Sequence, residues 1–484
     1  MTTTAAPVDL APGVAPGAPK TDKTPRRIPL WVAIVATSLP MFMATLDNLV
    51  MTSALPVVQA DLHSSVDQLS WFLNAYTLTF ATFMLPAATL GDRFGRRRMM
   101  MFGVGLFTLA SIGSALSTSS EALIIARAFQ GLGAAAIMPL SLTLLASAVP
   151  EKMRSAAIGI WGGLSGLGVA LGPVVGGAVV EGISWQAIFW INVPVAILAI
   201  PLMLVAVKES KGTWQRLDLV GTAMIGGAVF LGIWGIVHGN DDGWTSYGVL
   251  VPLVVSALLV PAYVVRARGM AHAVLPLRLF ERRSFSTANV IGLFFTLGMF
   301  GAVFLMAQYL QIVQGYSPLQ AGIRTLPWTA APMIVAPITG ALIPRLGLRP
   351  LLLVGLSLQA GALVWLAALT EATSSYSSFV PALLMAGVGM GITFPTTSTG
   401  TLMNLPDSDF AIASSSNSTI REFGVALGVA LLTAVFTSNG GQLIPTGYTG
   451  AIGPALLTGA AAVGVAIIAA LFAPGRDRQA GDLV

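Results

Sequence analysis

The sequence predicts an all-α membrane protein of fourteen transmembrane helices with both termini in the cytoplasm, and three observations predict it. Of 484 residues, 55% are hydrophobic and only 9% are charged, against roughly 25% charged in a soluble protein. With a mean hydropathy of +0.81, such a chain cannot solvate a water-facing surface, which excludes a soluble enzyme. Apolar stretches of about 20 residues, enough to cross a hydrocarbon core of about 30 Å, recur along the chain. Third, the basic residues fall in alternate loops. The net charge of +5 and pI near 9.7 would suggest nucleic acid in a soluble chain. In a membrane protein the loop that holds a charge matters more than its sign, so no nucleic-acid partner is expected. The lack of Cys excludes disulfides, thiol catalysis and Cys-ligated metal.

Residues 1–27 are rich in Pro, Ala and Thr and lack the apolar region of a signal peptide; a disordered cytoplasmic tail is expected there. Spans are then expected to start near Leu30, Leu69, Met99, Ala122, Ser155, Ala187, Leu217, Tyr247, Phe285, Leu319, Pro350, Tyr376, Phe410 and Ile452. The tails and every second loop hold Lys20, Lys23, Arg26 and Arg27, the Arg93 to Arg98 cluster, Lys152 and Arg154, and Lys208, Lys211 and Arg216. They continue with Arg266, Arg268, Arg278, Arg282 and Arg283, then Arg345 and Arg349, and finally Arg476 and Arg478. The opposite loops carry Asp61, Asp67, Glu121, Glu181, Asp241, Asp242 and Glu371, with Arg324 as the base near that side. Positive charge marks the cytoplasmic side, and an even number of spans returns the chain to it.

The chain also repeats itself. Gly131, Gly133 and Pro139 in the fourth span recur as Gly387, Gly389 and Pro395 in the twelfth, 256 residues on; Pro150 matches Pro406, and GVALG from Gly168 recurs from Gly424, at the same offset. Arg93, Gly95 and Arg97 return as Arg345, Gly347 and Arg349. Spans 1 to 6 therefore match spans 9 to 14. The expected domains are a six-helix bundle at 28–207, an insertion at 208–283 with two spans and a basic cytoplasmic loop, a second bundle at 284–474 and a tail at 475–484. Two homologous bundles about a midplane cavity make an alternating-access transporter.

At this level of detail the residues resemble the major facilitator superfamily, in its 14-helix drug:proton antiporter branch, over about Ile28 to Phe472. The hinge Leu90-Gly91-Asp92-Arg93-Phe94-Gly95-Arg96-Arg97-Arg98 looks like the superfamily's motif between helices 2 and 3, and Arg127-Ala128-Phe129-Gln130-Gly131-Leu132-Gly133 looks like its fourth-helix motif. Gly172-Pro173-Val174-Val175-Gly176-Gly177 is similar to the antiporter motif of helix 5. Leu46-Asp47 through Ala54-Leu55-Pro56, and Tyr309-Leu310-Gln311 to Ala321-Gly322, resemble the 14-helix branch. The match departs at Ala88, where the family has Gly; at Leu49 and Thr52, where it has Thr and Asn; and at Ile343-Pro344-Arg345, where the second hinge lacks the acid. The resemblance implies proton-coupled efflux of drugs, with protons as the coupling ion and no other cofactor.

Four charges remain inside spans: Asp47, Arg127, Arg421 and Glu422. Intramembrane ionisable groups are functional candidates by default, and taking a carboxylate out of water favours its protonated form. Asp47 lies about 12 Å, and Arg127 about 9 Å, from the outer ends of their spans at 1.5 Å per residue. They are expected at similar depth, where Arg127, a proton and a cationic substrate compete for Asp47; a fixed ion pair is the structural alternative. Arg421 and Glu422 stand where the first half has Ser165 and Gly166, which makes Glu422 a second candidate for a proton or cation. Gly91, Asp92, Arg93, Gly95, Arg96 and Arg97 are expected to form a cytoplasmic gate. Gly168, Gly172, Pro173, Gly176 and Gly177, with Gly159 and Gly163, are expected to let span 5 pack closely against proton leak.

Met41, Phe42, Met43, Trp71, Phe72 and Gln130 in the first half, and Phe300, Phe304, Met306, Gln308, Trp328 and Phe394 in the second, are candidates for a pliable pocket for apolar cations. His63, His238 and His272 do not cluster as metal ligands would. The expected function is proton-driven export of amphipathic, cationic compounds across the cytoplasmic membrane, with no ATP-binding lysine loop and with an envelope adaptor left open. The alternatives are a dedicated exporter of one endogenous metabolite, antibiotic or lipid; a membrane-embedded enzyme, disfavoured because the spans hold two acids and no His or Cys; and a sensor, disfavoured because it would need a soluble domain.

Overall fold

The computed structural model describes residues 29–64, 66–212, 218–239, 242–270, 273–370, 375–442 and 444–475; the expected tails lie outside these, apart from Gly475. In chain order the helices are α1 (Leu30–Leu62), α2 (Val66–Phe94), α3 (Arg96–Ala115), α4 (Ser120–Ala148), α5 (Glu151–Gly182), α6 (Ala187–Trp190) and α7 (Asn192–Ala206). A hairpin follows, α8 (Leu219–His238) and α9 (Tyr247–Ala267), then the short α10 (Arg278–Glu281). The last group is α11 (Arg283–Ile312), α12 (Pro318–Thr329), α13 (Ala331–Leu346), α14 (Leu348–Leu369), α15 (Tyr376–Leu402), α16 (Phe410–Ser438) and α17 (Pro445–Leu471). No strand occurs among the described residues.

Twelve of these passages are long and apolar enough to cross a membrane. Helices α2 and α5, of 29 and 32 residues, occupy the other two predicted positions. The sixth and tenth passages are each broken in two, α6 from α7 at Ile191 and α12 from α13 at Ala330. Pro194 and Pro332 follow these breaks; a proline cannot donate to the carbonyl four residues back and its ring crowds it. The last helix begins at Pro445, seven residues before the predicted Ile452. A run of Gly and Pro reads as a breaker in sequence, but Pro at the first helical position is favourable.

Packing repeats as the sequence does. In the first group α1 packs on α5 and α7, α2 on α4, and α3 on α4 and α7; in the second, α11 packs on α16 and α17, α13 on α15, and α14 on α15 and α17. The two halves meet along two seams, α5 with α13 and α2 with α16. The hairpin is docked on the second of these seams: α8 packs on both α2 and α16. Trp71 of α2 meets Trp234 and His238 of α8 there, with ring centroids 5.1 and 5.8 Å apart. At the hairpin's other end Arg266 donates two hydrogen bonds to Asp218, at 2.8 and 2.9 Å. Burial pushes that carboxyl up, but Arg266 and the Gly221 N–H outweigh it and hold Asp218 below the usual carboxylate value.

The repeated GVALG has a physical reason. A Cβ at Gly168 or Gly172 would run into Thr45 or Leu49 of α1, and one at Gly424 or Gly428 into Thr296 or Leu297 of α11. The motif lets the fifth helix of each half close on the first. Gly428→Ala, which meets the Leu297 backbone carbonyl, is expected to destabilise by about 1–3 kcal/mol. Gly464→Ala, with nothing within 4 Å, is expected to be neutral or to stabilise by up to about 1 kcal/mol. Thermal unfolding in detergent reads both, and equal shifts would contradict this account of the motif.

Candidate functional site

The centre of the first half is a polar network around Asp47, which is 4% exposed. Arg127 of α4, fully buried, donates from Nη1 to Asp47 Oδ2 at 2.5 Å. Asn192 Nδ2 and Gln130 Nε2 donate to Oδ1 at 2.7 and 3.2 Å. Both amides also donate to Ser111 Oγ, at 3.1 and 2.8 Å. Arg127 donates further from Nε to the Phe72 carbonyl at 2.9 Å and from Nη1 to Gln130 Oε1 at 2.9 Å. Tyr76 closes the network: its ring lies 4.5 Å from the Arg127 guanidinium and its hydroxyl donates to the Ala44 carbonyl at 3.2 Å.

Two helices, α4 and α7, thus supply the carboxylate of α1 with partners on both oxygens. Gln130, expected to touch substrate, belongs to this network instead. Sequence reasoning missed Asn192 and Ser111. The signal for Asn192 was an amide alone in an otherwise apolar span, just before Pro194; Ser111 gave none, since buried serines commonly return their hydroxyl to their own helix.

The second half has no such network among the described residues. Arg421 is 9% exposed and its guanidinium lies 3.9 Å from the Phe394 ring, with no hydrogen bond or ion pair from its side chain. Glu422, half-buried, also lacks a hydrogen bond or ion pair among the described residues, and the opposite charge that acts on it is that of the neighbouring Arg421.

At the end that carries the basic loops, the predicted gate divides its work. Arg96 Nε donates to Asp92 at 2.7 Å, and Arg96 Nη2 crosses to the Ser408 carbonyl of the second half at 3.0 Å. Arg154 and Asp407 make a second crossing at 3.6 Å, and Ser414 donates to the Pro139 carbonyl at 3.1 Å. Arg97 stays in its own half and caps the end of α7 through the Val207 carbonyl at 3.0 Å. Arg349, its repeat partner, caps α17 through the Ala473 carbonyl at 2.8 Å. Gly95 has φ +118, and a Cβ there would overlap the Glu209 carboxylate, which accepts from the Arg97 and Arg98 N–H groups. Gly91 lies against Leu140, while Arg93 lies 5.4 Å from the Phe94 ring.

Helix α5 shows two glycine faces. Gly168 and Gly172 face α1, whereas Gly159, Gly163 and Gly166 face α13 and Gly177 faces Leu319 of α12. Gly176 is buried, and the side chain of Pro173 lies outside the described residues. The predicted pocket residues do not form one surface. Met41, Met43, Phe72 and Met306 are fully buried in the cores of their own halves, because aromatic and thioether side chains pack cores as readily as they line cavities. Trp71 docks α8 and Phe394 underlies Arg421. Phe42, Phe300 and Gln308 are half-buried, Phe304 is 43% exposed, and Trp328 is buried with its indole N–H unpartnered.

Two repeated half-bundles, a buried charge pair in one of them and close-packed seams between them define a membrane transporter. The chain belongs to the major facilitator superfamily, whose model matches residues 30–429. It is similar to the tetracenomycin C resistance and export protein of Streptomyces glaucescens, 31% identical over 94% of this chain and 85% of that one. It is also similar to the multidrug resistance protein Stp of Mycobacterium tuberculosis, strain CDC 1551 / Oshkosh, 35% identical over 84% and 76%. Among solved structures, the proton:xylose symporter XylE shares the fold, with a TM-score of 0.66 at 14% identity over 92% of this chain and 94% of that one.

Proposed function

We propose that the chain is a proton-driven exporter of amphipathic compounds that works by alternating access in the cytoplasmic membrane. It has fourteen spans, both termini in the cytoplasm, halves at 28–207 and 284–474, and the insertion at 208–283. The observation that carries this reading is the Asp47 network. A carboxylate with both oxygens engaged by Arg127, Gln130 and Asn192 is a site where one proton changes many bonds. Protonating Asp47 removes the charge that holds Arg127, and the freed guanidinium must find other acceptors, which favours a different packing of α1 on α4. Because Asp47 is fully engaged, a cationic group on a substrate would meet Glu422, which makes no hydrogen bond or ion pair among the described residues. Arg96 to Ser408 and Arg154 to Asp407 would then be the contacts that part when the cytoplasmic side opens. One proton moving down about 150 mV supplies roughly 3.5 kcal/mol, or about 300-fold accumulation.

A dedicated exporter of one compound is the second reading, favoured by a relative whose name carries a single antibiotic. Purified protein in liposomes, loaded with ethidium under an imposed pH gradient, tests both. Gradient-driven ethidium transport with competition by unrelated dyes is expected, and a protein that moves none of them overturns the multidrug reading.

A further inference from the structure

We propose that Arg421 anchors an anion subsite and that the exporter's substrates include amphiphiles bearing a carboxylate. The proposal rests on the export reading above and narrows it to a substrate class. The two buried arginines of the spans differ in one respect. Arg127 is engaged by Asp47, Gln130 and the Phe72 carbonyl, with Nη2 alone left without an acceptor. Arg421, 9% exposed, donates to nothing among the described residues, and its Nε is sealed from solvent without an acceptor.

The fold makes room for this side chain rather than tolerating it by accident. Gly292 of α11 faces its stem, and a Cβ there would lie 3.3 Å from Arg421 Cγ. The Phe394 ring at 3.9 Å attracts a cation but does not neutralise it. Glu422 follows in the chain but projects about 100° further round α16, and no ion pair joins the two. Ser165 at the repeated position of the first half shows that the fold needs no base here.

A buried guanidinium with no hydrogen bond or ion pair from its side chain among the described residues is costly; the neighbouring Glu422 charge acts on it without reaching its donors, so an anion that engages those donors is favoured. The guanidinium is a planar fork of donors, and the group that matches it on two bonds is a carboxylate. Asn417 Nδ2 donates to Asn289 Oδ1 at 3.2 Å across α16 and α11, which makes this contact inside the second half polar one turn before Arg421.

Binding to the full-length protein in detergent, read by fluorescence anisotropy, tests the subsite without requiring transport. The probes are fluorescein, which carries a free carboxylate, and rhodamine 6G, a cation on the same xanthene core with that carboxylate esterified. Arg421→Gln is expected to weaken fluorescein about tenfold or more and to leave rhodamine 6G within about twofold. Arg421→Lys, which keeps the charge and loses the fork, is expected to fall between. Equal weakening of both dyes means a scaffold role and overturns the proposal. Unchanged fluorescein binding in both variants, or no binding by the wild type, overturns it too. Failure of the export reading is seen separately, as a wild-type protein that moves neither dye in liposomes.

Discussion

Asp47→Asn is expected to abolish proton-driven transport, lowering pH-gradient-driven dye flux by about 100-fold, while dye exchange without a gradient continues. The amide keeps the shape of the carboxylate but neither binds a proton nor carries charge. It also leaves Arg127 buried beside a neutral partner. Breaking a buried pair from one side costs up to about 3–5 kcal/mol, so the variant should melt earlier than wild type. Adding Arg127→Gln removes the stranded cation. The double variant is therefore expected to recover much of the lost stability and none of the coupling, a non-additivity that a double-mutant cycle isolates. Flux that still follows the pH gradient in Asp47→Asn would sink the role given to this carboxylate. A double variant no more stable than Asp47→Asn would sink the account of the pair.

Much of this site was legible because depth in a membrane can be counted. Asp47 and Arg127 lie at similar depths from the same side, and an unpaired charge there is expensive, so their meeting followed from arithmetic and cost. Asn192 and Ser111 were not legible: a neutral polar residue in a span is cheap enough to be satisfied locally, and only the packing of α7 on α1 and α3 brings Asn192 to Asp47 and to Ser111. The repeat exposed the two halves, yet the reason for GVALG appears only when each fifth helix lies on its first. The gate illustrates a third limit. Arg96 and Arg97 are neighbours of identical chemistry in sequence, but one crosses to the other half and one caps a helix of its own, because adjacent residues on a helix point about 100° apart. The aromatic and methionine residues were least legible, since burial within a half-bundle and exposure to a cavity select the same side chains.

Gly159→Val is the second variant expected to have a large effect, and it tests the seam rather than the proton site. Gly159 of α5 and Gly340 of α13 face each other across the two halves. A Cβ at Gly159 would lie 2.5 Å from the Ala336 carbonyl and 3.1 Å from Gly340 Cα, and one at Gly340 would lie 3.0 Å from Gly159 Cα. Backbones at this separation slide over one another with little to catch, as small residues allow at helix contacts in a membrane. A branched side chain would hold the halves apart in the conformation with its basic-loop end closed, and would load any rocking motion with a further clash. Overpacking of about 1–3 kcal/mol applied to one conformation and not the other changes their ratio by about 5- to 150-fold, so transport is expected to fall at least about fivefold. Stability should fall less, because the contacts inside each half are untouched. Gly105→Val on α3, which has nothing within 4 Å, separates this effect from the helix cost of valine itself. Equal losses of transport in Gly159→Val and Gly105→Val would remove the seam from the mechanism, whereas a loss confined to Gly159 ties transport to the line along which the two halves touch.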